Sequence, residues 1–163
     1  PWSVLAQGIS LNVNYSIGVI TFVISVVVLI IWIPLKQKPG MGTILNALII
    51  AGMIDLCINF VPSPENFASQ VTLAIFAVLT VGLGGGIYLI ANLGPGARDG
   101  LMIGLQKATN LPIASVRAFI EISVVSVGWY LGGTVGFGTL LFAFGIGPAV
   151  AGGLYLVDKI FNN

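Results

Sequence analysis

The chain has 163 residues, of which 57% are hydrophobic and 7% are charged, and its net charge is +1. Soluble domains carry about 25% charged residues, and a soluble domain of this size still exposes roughly a third of the surface of its unfolded chain. The composition therefore excludes a soluble globular domain and indicates an integral α-helical membrane protein. The low net charge offers no basic surface for nucleic acid.

The sequence lacks the residues on which most catalytic and metal sites depend. It has no histidine, and its one cysteine, Cys57, lies in an apolar stretch. These counts exclude an intrachain disulfide, a Ser-His-Asp triad, a Cys-His dyad and the usual zinc ligand sets. We therefore expect that the protein is not an enzyme and that it holds no metal and no cofactor.

Five stretches are long and apolar enough to cross a hydrocarbon core of ~30 Å as helices that rise 1.5 Å per residue. In chain order they are residues 14–35, 43–61, 67–93, 111–131 and 137–157. Two further stretches, residues 1–11 and 98–107, are too short to cross, and breaks rich in proline, glycine or charge separate the elements. The pattern predicts an all-α, polytopic transmembrane helical bundle with short broken or re-entrant segments.

The sequence also contains an internal repeat. Residues 1–55 align without a gap with residues 97–151, an offset of 96, and thirteen positions are identical. Composition alone would give about five matches. The run Gly40-Met41-Gly42-Thr43 recurs as Gly136-Phe137-Gly138-Thr139, at the same place between two spans.

The repeat predicts how the chain is organised. Residues 1–93 form the first repeat, a short segment with three spans, and residues 94–163 form the second, a short segment with two spans. Both belong to one membrane domain. Repeat logic predicts a span equivalent to residues 67–93 before Pro1. Because three spans per unit is an odd number, the second copy is expected to be inverted relative to the first.

Charge placement predicts the sidedness of the loops. The loops at 62–66 and 132–136 hold no lysine or arginine. The remaining loops and the short second segment hold the basic residues, which the positive-inside rule assigns to the cytoplasm. These residues are Lys36, Lys38, Arg98, Lys107 and Lys159.

Arg117 and Glu121 are candidate substrate-binding residues. They lie four residues apart, on one face of a predicted span that is otherwise apolar. Charges at such depth are unfavourable, so we expect the two side chains to pair and to face the protein interior. The pair is either a substrate or proton site or a structural ion pair, and the sequence leaves both interpretations open. In the first repeat Thr21 and Ser25 occupy the equivalent positions.

Arg98 and Asp99 are further candidates, because they open the second short segment. If that segment is a half-helix directed into the bundle, its free N–H groups could bind an anion. Helix capping by Asp99, with an interfacial arginine beside it, is the alternative that we favour slightly. The equivalent residues in the first repeat are Trp2 and Ser3.

The two G-x-G-T loops are weak candidates for binding through backbone groups at helix N-termini. They lack the lysine of a nucleotide-binding P-loop, so a helix start with close backbone packing is the favoured interpretation. Their candidate residues are Gly40, Gly42, Thr43, Gly136, Gly138 and Thr139. Three glycine pairs spaced four apart indicate small-residue packing faces, namely Gly82 with Gly86, Gly100 with Gly104, and Gly128 with Gly132.

Asp55 lies in the second predicted span, near Asn46 and Asn59. It is either an ion ligand or proton carrier, or a residue close to the membrane interface, about two helical turns from the break at Pro62. We favour the interface.

The second half of the chain resembles a known family. The run from Gly94 to Met102, the Arg117–Glu121 pair, the run from Leu131 to Thr139 and Ile146-Gly147-Pro148 are similar to the YczE/YyaS/YitT group of bacterial integral membrane proteins, most closely its YczE-like members. Ala97 stands where the family pattern has proline. The resemblance implies a multi-pass protein of the bacterial plasma membrane and no particular substrate.

Two functions fit this sequence. The leading hypothesis is a small secondary transporter or channel-like protein, because inverted repeats, broken segments and intramembrane charges are typical of transporters. The alternative is a non-transporting accessory subunit of a larger membrane complex, which small size and small-residue faces would suit. Expected partners are membrane lipid and either further copies of the chain or other membrane proteins.

Overall fold

A computed structural model describes residues 1–61 and 64–161, and in these ranges all regular secondary structure is helical. The seven helices of the described ranges are α1 (Trp2–Val13), α2 (Ile17–Trp32), α3 (Met41–Phe60), α4 (Phe67–Ile90), α5 (Ala97–Thr109), α6 (Ile113–Tyr130) and α7 (Phe137–Phe161). The predicted all-α fold class is confirmed. Pro62 and Ser63, part of the predicted break at 62–66, lie outside the described residues.

Four helices of the described chain, α3, α4, α6 and α7, are long and apolar enough to cross a membrane. Helices α1 and α2 meet at a bend of 114° and pass the same test only as a pair, as a broken span or a re-entrant loop. The predicted span at 14–35 is thus shorter than expected, because α2 has only 16 residues. Ser16 caps its start by accepting a hydrogen bond from Val19 N, and Pro34 lacks the N–H group that would continue the helix.

Helix boundaries repeat at the offset seen in the sequence. Helices α2 and α6 begin at the equivalent residues Ile17 and Ile113, and α3 and α7 begin at Met41 and Phe137. The short helices α1 and α5 both end on asparagines in the left-handed region, Asn14 (φ 56°) and Asn110 (φ 55°), each donating its N–H to the carbonyl four residues earlier. These coincidences support the repeat, while the inverted orientation of the two copies stays a prediction.

The chain folds into two compact units that do not follow the predicted repeat boundary. The first unit comprises Pro1–Val61 and Gly94–Val135, with helices α1, α2, α3, α5 and α6, and the second contains α4 and α7. Each unit therefore takes helices from both repeats, and the division of the chain at residue 93 stays a prediction.

In the first unit, each short helix packs against the long helix of the other repeat, α1 against α6 and α5 against α2. A Cβ placed on Gly8 would lie 3.0 Å from Leu131, and one placed on Gly104 would lie 3.0 Å from Leu35. Gly8 is equivalent to Gly104, and Leu35 to Leu131. The glycine of each repeat therefore contacts the leucine of the other repeat, which is the pattern that a two-fold relation between the repeats would produce. We call such a pair of equivalent contacts exchanged.

In a second exchanged contact, the small residue and the large residue change places between the two repeats. On α5, Gly100 lies against the ring of Trp32, which is only 1% exposed and donates its indole N–H to Ala97 O at 3.0 Å. At the equivalent pair, Val4 of α1 lies against Gly128 of α6. One copy therefore has the small residue on the short helix, and the other has it on the long helix.

In the second unit, α4 and α7 approach closely through small residues. A Cβ on Gly82 would lie 2.5 Å from the Ala149 methyl, and one on Gly86 would lie 2.6 Å from the Gly153 backbone. The predicted packing role is confirmed for Gly82 with Gly86 and for Gly100 with Gly104. It is wrong for Gly132, which instead adopts a φ of 94° in the turn after α6 and has only Leu11 nearby, at 3.7 Å.

We predict that Gly100→Ala destabilises the fold by about 1–3 kcal/mol, the usual effect of overpacking, because the added methyl would overlap the Trp32 ring. Gly52→Ala is the matched control, since Gly52 is also helical and a methyl there meets no atom within 4 Å. Thermal unfolding of both purified variants in detergent checks this. Equal unfolding temperatures for the two variants would contradict the described α2–α5 contact.

The predicted sidedness is testable by cysteine labelling of intact cells in a Cys57→Ser background. Lys36, Lys38, Lys107 and Lys159 are exposed, whereas Arg98 packs over Trp2 and so reports sidedness less directly. Gln37→Cys should resist a membrane-impermeant maleimide, and Asn66→Cys, in the loop without basic residues, should react. Efficient external labelling at position 37 would overturn the topology.

Candidate functional site

All four charged candidates lie in the first unit, and Asp99 is within electrostatic reach of the other three. Arg98 and Asp99 are in the first turn of α5, and Arg117 and Glu121 are on α6, which packs against α5. The Asp99 carboxylate interacts electrostatically with Arg117, Arg98 and Glu121. The fold therefore gathers these residues into one group, here called the charged cluster, and its role as a binding site stays a prediction.

The expected pairing of Arg117 with Glu121 occurs in the structure. Arg117 Nε donates to Glu121 Oε1 at 3.0 Å across one helical turn, and the side chains are 38% and 16% exposed. The contact uses only the Nε edge of the guanidinium. Its two terminal nitrogens make no hydrogen bond to any other described residue, so their N–H groups remain available.

Arg98 is held by an aromatic ring rather than by a carboxylate. Its Cζ atom lies 5.1 Å from the centroid of the Trp2 ring, a cation–π contact that contributes about 0.5–2 kcal/mol. Burial lowers the pKa of Arg98 to about 10, against the effect of nearby Asp99, so the side chain stays protonated at neutral pH. Trp2 itself is 9% exposed, and its buried Nε1–H has no acceptor within the described ranges.

The Asp99 carboxylate folds back over the start of its own helix. Its Oδ2 lies 3.1 Å from the point where a Gly96 Cβ would stand, and a carboxylate in the first turn complements the positive end of the helix dipole. Although the side chain is accessible, the surrounding protein desolvates the carboxyl and raises its pKa, while Arg117 and Arg98 act in the opposite direction. The predicted N-cap role of Asp99 is wrong, because Gly96 is the N-cap residue of α5 and no side-chain cap hydrogen bond forms there; Asp99 acts on the helix end only through its charge.

Trp2 is a residue of the cluster that sequence reasoning missed as a partner of Arg98. The two residues are equivalent at the offset of 96, so the Arg98–Trp2 contact joins a residue to its own repeat partner. A two-fold relation between the repeats would bring equivalent residues on its axis into contact. The offset was therefore the signal that could have found it.

The first repeat contributes no charge at the positions equivalent to Arg117 and Glu121. Thr21 and Ser25 stand there, 2% and 6% exposed. Thr21 Oγ1 donates to Ile17 O at 2.8 Å, and Ser25 Oγ donates to Thr21 O at 2.9 Å. Both hydroxyls are thus satisfied within α2, so the cluster is charged on one repeat only.

The first G-x-G-T loop ties α3 to the connection before α5. Thr43 is fully buried, and its Oγ1 accepts from Gly40 N at 3.2 Å and donates to Pro95 O at 2.7 Å. Gly94 approaches Thr43 closely with a φ of 107°, a conformation that favours glycine. This loop therefore serves packing and capping, as favoured above, beside the start of α5; Gly42 is buried in the first turn of α3.

The second loop belongs to the other unit. There Thr139 N donates to Gly136 O at 3.0 Å, and a Cβ on Gly136 would meet no atom within 4 Å. Gly138 is exposed, with its closest neighbour the Ala74 methyl at 4.0 Å. The two loops are thus alike in sequence and differ in what they contact.

Asp55 has a partner that neither interpretation of the sequence foresaw. Its carboxylate accepts from Ser16 Oγ at 2.5 Å and from Gly18 N at 2.7 Å, and so caps α2 from the neighbouring helix α3. A side chain on residue 18 would collide with this carboxylate, which explains the glycine. Within the described ranges no group of three acidic, cysteine or histidine side chains is placed to hold a metal.

The second unit has an open groove of about 670 Å³ between α4 and α7. Its walls are almost wholly apolar, and they include Val78, Leu79, Phe137, Phe144 and Pro148. Such a surface suits a hydrocarbon chain and offers no group for polar recognition.

Comparison with known proteins places the chain in a family. The model of a family of unknown function, DUF6198, matches residues 1–152. An uncharacterised protein of Haemophilus influenzae is 40% identical over 160 residues, which are 98% of this chain and 73% of that protein. The uncharacterised membrane protein YczE of Bacillus subtilis is 32% identical over 108 residues, which are 66% of this chain and 50% of YczE. No solved structure matches.

The predicted resemblance to YczE-like proteins is thereby confirmed, and with it the assignment as a membrane protein. The chain spans only half the length of YczE, so nothing about the whole of that protein is carried over.

We predict that Arg117→Glu destabilises the protein by about 1.5–3 kcal/mol, the usual contribution of a hydrogen bond to a charged group, because it places two carboxylates one turn apart. If the pair is structural, the double swap Arg117→Glu/Glu121→Arg should restore most of the lost stability. Thermal unfolding of wild type, single variant and double swap in detergent measures both effects. A double swap no more stable than the single variant would contradict a purely structural pair.

Proposed function

We propose that this chain, which belongs to the DUF6198 family of unknown function, is a small secondary transporter or channel-like protein whose substrate binds at the charged cluster. The observation that carries the proposal is that Asp99 interacts electrostatically with Arg98, Arg117 and Glu121 within the first unit, while Arg98 packs over the Trp2 ring. The cluster lies where helices from both repeats meet.

Short helices support this proposal. Helices α1 and α5 have 12 and 13 residues, too few to cross a membrane, and each lies against a longer helix of the other repeat. Substrate sites of transporters with internal repeats typically lie where such discontinuous helices meet, at the repeat interface. The Arg98–Trp2 contact joins the first turns of α1 and α5 at such a place.

The number of charges also favours a site over a merely structural ion pair. A charged side chain at the centre of a bilayer is unfavourable by about 2.5–3.5 kcal/mol on insertion scales. Arg117 and Glu121, within the candidate span of α6, compensate each other directly, whereas Arg98 belongs to the short helix α5 on the predicted cytoplasmic side and has no ion-pair partner within the described residues. Arg98 is thus held by the Trp2 ring without a counter-charge in contact, and we assign this charge to function.

The exchanged glycine contacts support an inverted relation between the copies. A two-fold axis through the first unit would produce such contacts, and with an odd number of spans per repeat that axis would lie in the membrane plane. An axis in that plane permits the two halves to exchange roles in alternating access. The plasma membrane, with the predicted basic loops in the cytoplasm, is the proposed location.

A non-transporting accessory subunit is the second candidate. Its support is the outer surface of α3, where Met41, Ile49, Met53 and Ile58 are all more than half exposed. Membrane lipid, another copy of the chain or another membrane protein would each cover such a surface. Purification separates the candidates, because an accessory subunit should co-purify strictly with a larger complex and a transporter should purify alone.

The transport proposal is tested in proteoliposomes that contain only the purified protein and a trapped pH indicator. We expect that one member of a panel of small organic acids, amines and sugars causes proton movement across the vesicle membrane. Glu121→Gln should abolish that movement while leaving the unfolding temperature nearly unchanged, because it keeps the shape and removes the titratable proton. Glu65→Gln, the same change at an exposed loop residue, should behave as wild type.

Normal solute-driven proton movement in a folded Glu121→Gln protein would show that Glu121 carries no protons. Proteoliposomes that stay impermeable to the whole panel, together with strict co-purification in a larger complex, would replace the transporter by the accessory subunit.

A further inference from the structure

The charged cluster contains more hydrogen-bond donors than acceptors that could serve them. Arg117 spends only its Nε–H on Glu121, and Arg98 makes no hydrogen bond or ion pair to any described residue. The ring beneath Arg98 adds a third donor, since the buried Trp2 Nε1–H also lacks an acceptor within the described ranges. Among the described residues Trp2 Nε1–H is the fully buried donor without a partner, which is unfavourable, whereas the guanidinium nitrogens keep some solvent access, so that an acceptor can reach them.

The two carboxylates of the cluster are both directed elsewhere. Glu121 holds the Nε edge of Arg117, which leaves the outer edge of that guanidinium unopposed. Asp99 folds back over Gly96 at the start of α5, and it forms no ion pair with either arginine. The carboxylates thus neutralise the cluster without occupying the terminal guanidinium nitrogens.

We propose that Arg98 and Arg117 bind a small oxyanion, a carboxylate or a phosphate group, with the terminal nitrogens of Arg117 donating in parallel to two of its oxygens. This inference names the ligand class for the site of the proposed function and rests on that site being the substrate site. Paired N–H groups of a guanidinium match the two oxygens of a carboxylate or phosphate, whereas a halide ion offers only one centre.

Each of the other residues has a positioning part in this arrangement. Glu121 fixes the orientation of the Arg117 guanidinium, in the way that a second carboxylate commonly orients a ligand-binding group. The Trp2 ring supports Arg98 from beneath without using any of its N–H donors. Arg98 therefore keeps its full donor set for the ligand, which a carboxylate partner would have taken.

Equilibrium binding to the purified protein in detergent tests the proposal without any requirement for transport. Calorimetric titrations with sodium acetate and with sodium phosphate, against sodium chloride at equal ionic strength, give the affinities. We expect saturable binding of acetate or phosphate and none of chloride. Arg117→Gln and Arg98→Gln should each weaken that binding at least tenfold.

Lys107→Gln is the matched control, since it removes the same charge from the exposed last turn of α5 and should leave the affinity unchanged. Arg117→Lys is the second variant if Arg117→Gln fails to fold. It keeps the positive charge and loses the paired donors, so it should bind at least tenfold more weakly while unfolding at a similar temperature.

Two sources could supply the oxyanion, a soluble solute or the phosphate of a lipid headgroup. Nanodiscs of phosphatidylglycerol and of phosphatidylcholine, each titrated with phosphate, distinguish them. Binding of soluble phosphate in phosphatidylcholine discs that is lost in phosphatidylglycerol discs would assign the site to the anionic lipid. Equal binding in both discs would assign it to the solute.

Absence of saturable binding of either oxyanion in every medium, or equal affinities of wild type and Arg117→Gln, would overturn the proposal. Its failure is distinct from failure of the transport proposal. Proteoliposomes that move a neutral solute with no oxyanion binding would remove this inference alone. Oxyanion binding in vesicles that move nothing would keep the site and remove transport.

Discussion

The packing of each short helix against the long helix of the other repeat is the constraint on which the first unit depends. Two backbones can approach this closely only where glycine faces the partner, as Gly8 does on α1 and Gly104 on α5. The same approach brings the first turns of α1 and α5 together, so that Arg98 reaches Trp2. Without these glycines the charged cluster would have no common location.

The sequence predicted the helices well because membrane burial leaves a strong local signal. Four of the five predicted spans became single long helices, and for α7 the apolar part, Phe137–Val157, agrees with the prediction at both ends. The offset of 96 also anticipated where equivalent helices begin. Hydropathy could not show that α2 would end at Trp32. Pro34 changes the mean hydropathy of a span only slightly, but it lacks the backbone N–H that would continue the helix.

The sequence predicted the individual residues of the candidate site but not which of them would lie close together. Charges in apolar segments drew attention to Arg117 and Glu121, and helix spacing was enough to predict their pairing. The meeting of Arg98 with Trp2, and of Asp55 with Ser16, depends on which helices are neighbours, and no periodicity along one helix contains that information. The repeat alone gave information about the tertiary arrangement, because its offset makes Trp2 and Arg98 equivalent positions.

The proposed two-fold relation would also explain why the two repeats differ at the cluster. A residue on the axis of that relation meets its own equivalent, so an arginine kept in both copies at position 98 and its partner would face a second arginine in a medium of low dielectric constant. Trp2 removes that repulsion and replaces it with a cation–π contact to Arg98. At the positions equivalent to Arg117 and Glu121 the first repeat likewise has neutral residues, Thr21 and Ser25, whose hydroxyls are satisfied within α2. Under the proposed two-fold relation, the charge asymmetry between the copies would be a consequence of the symmetry of their packing.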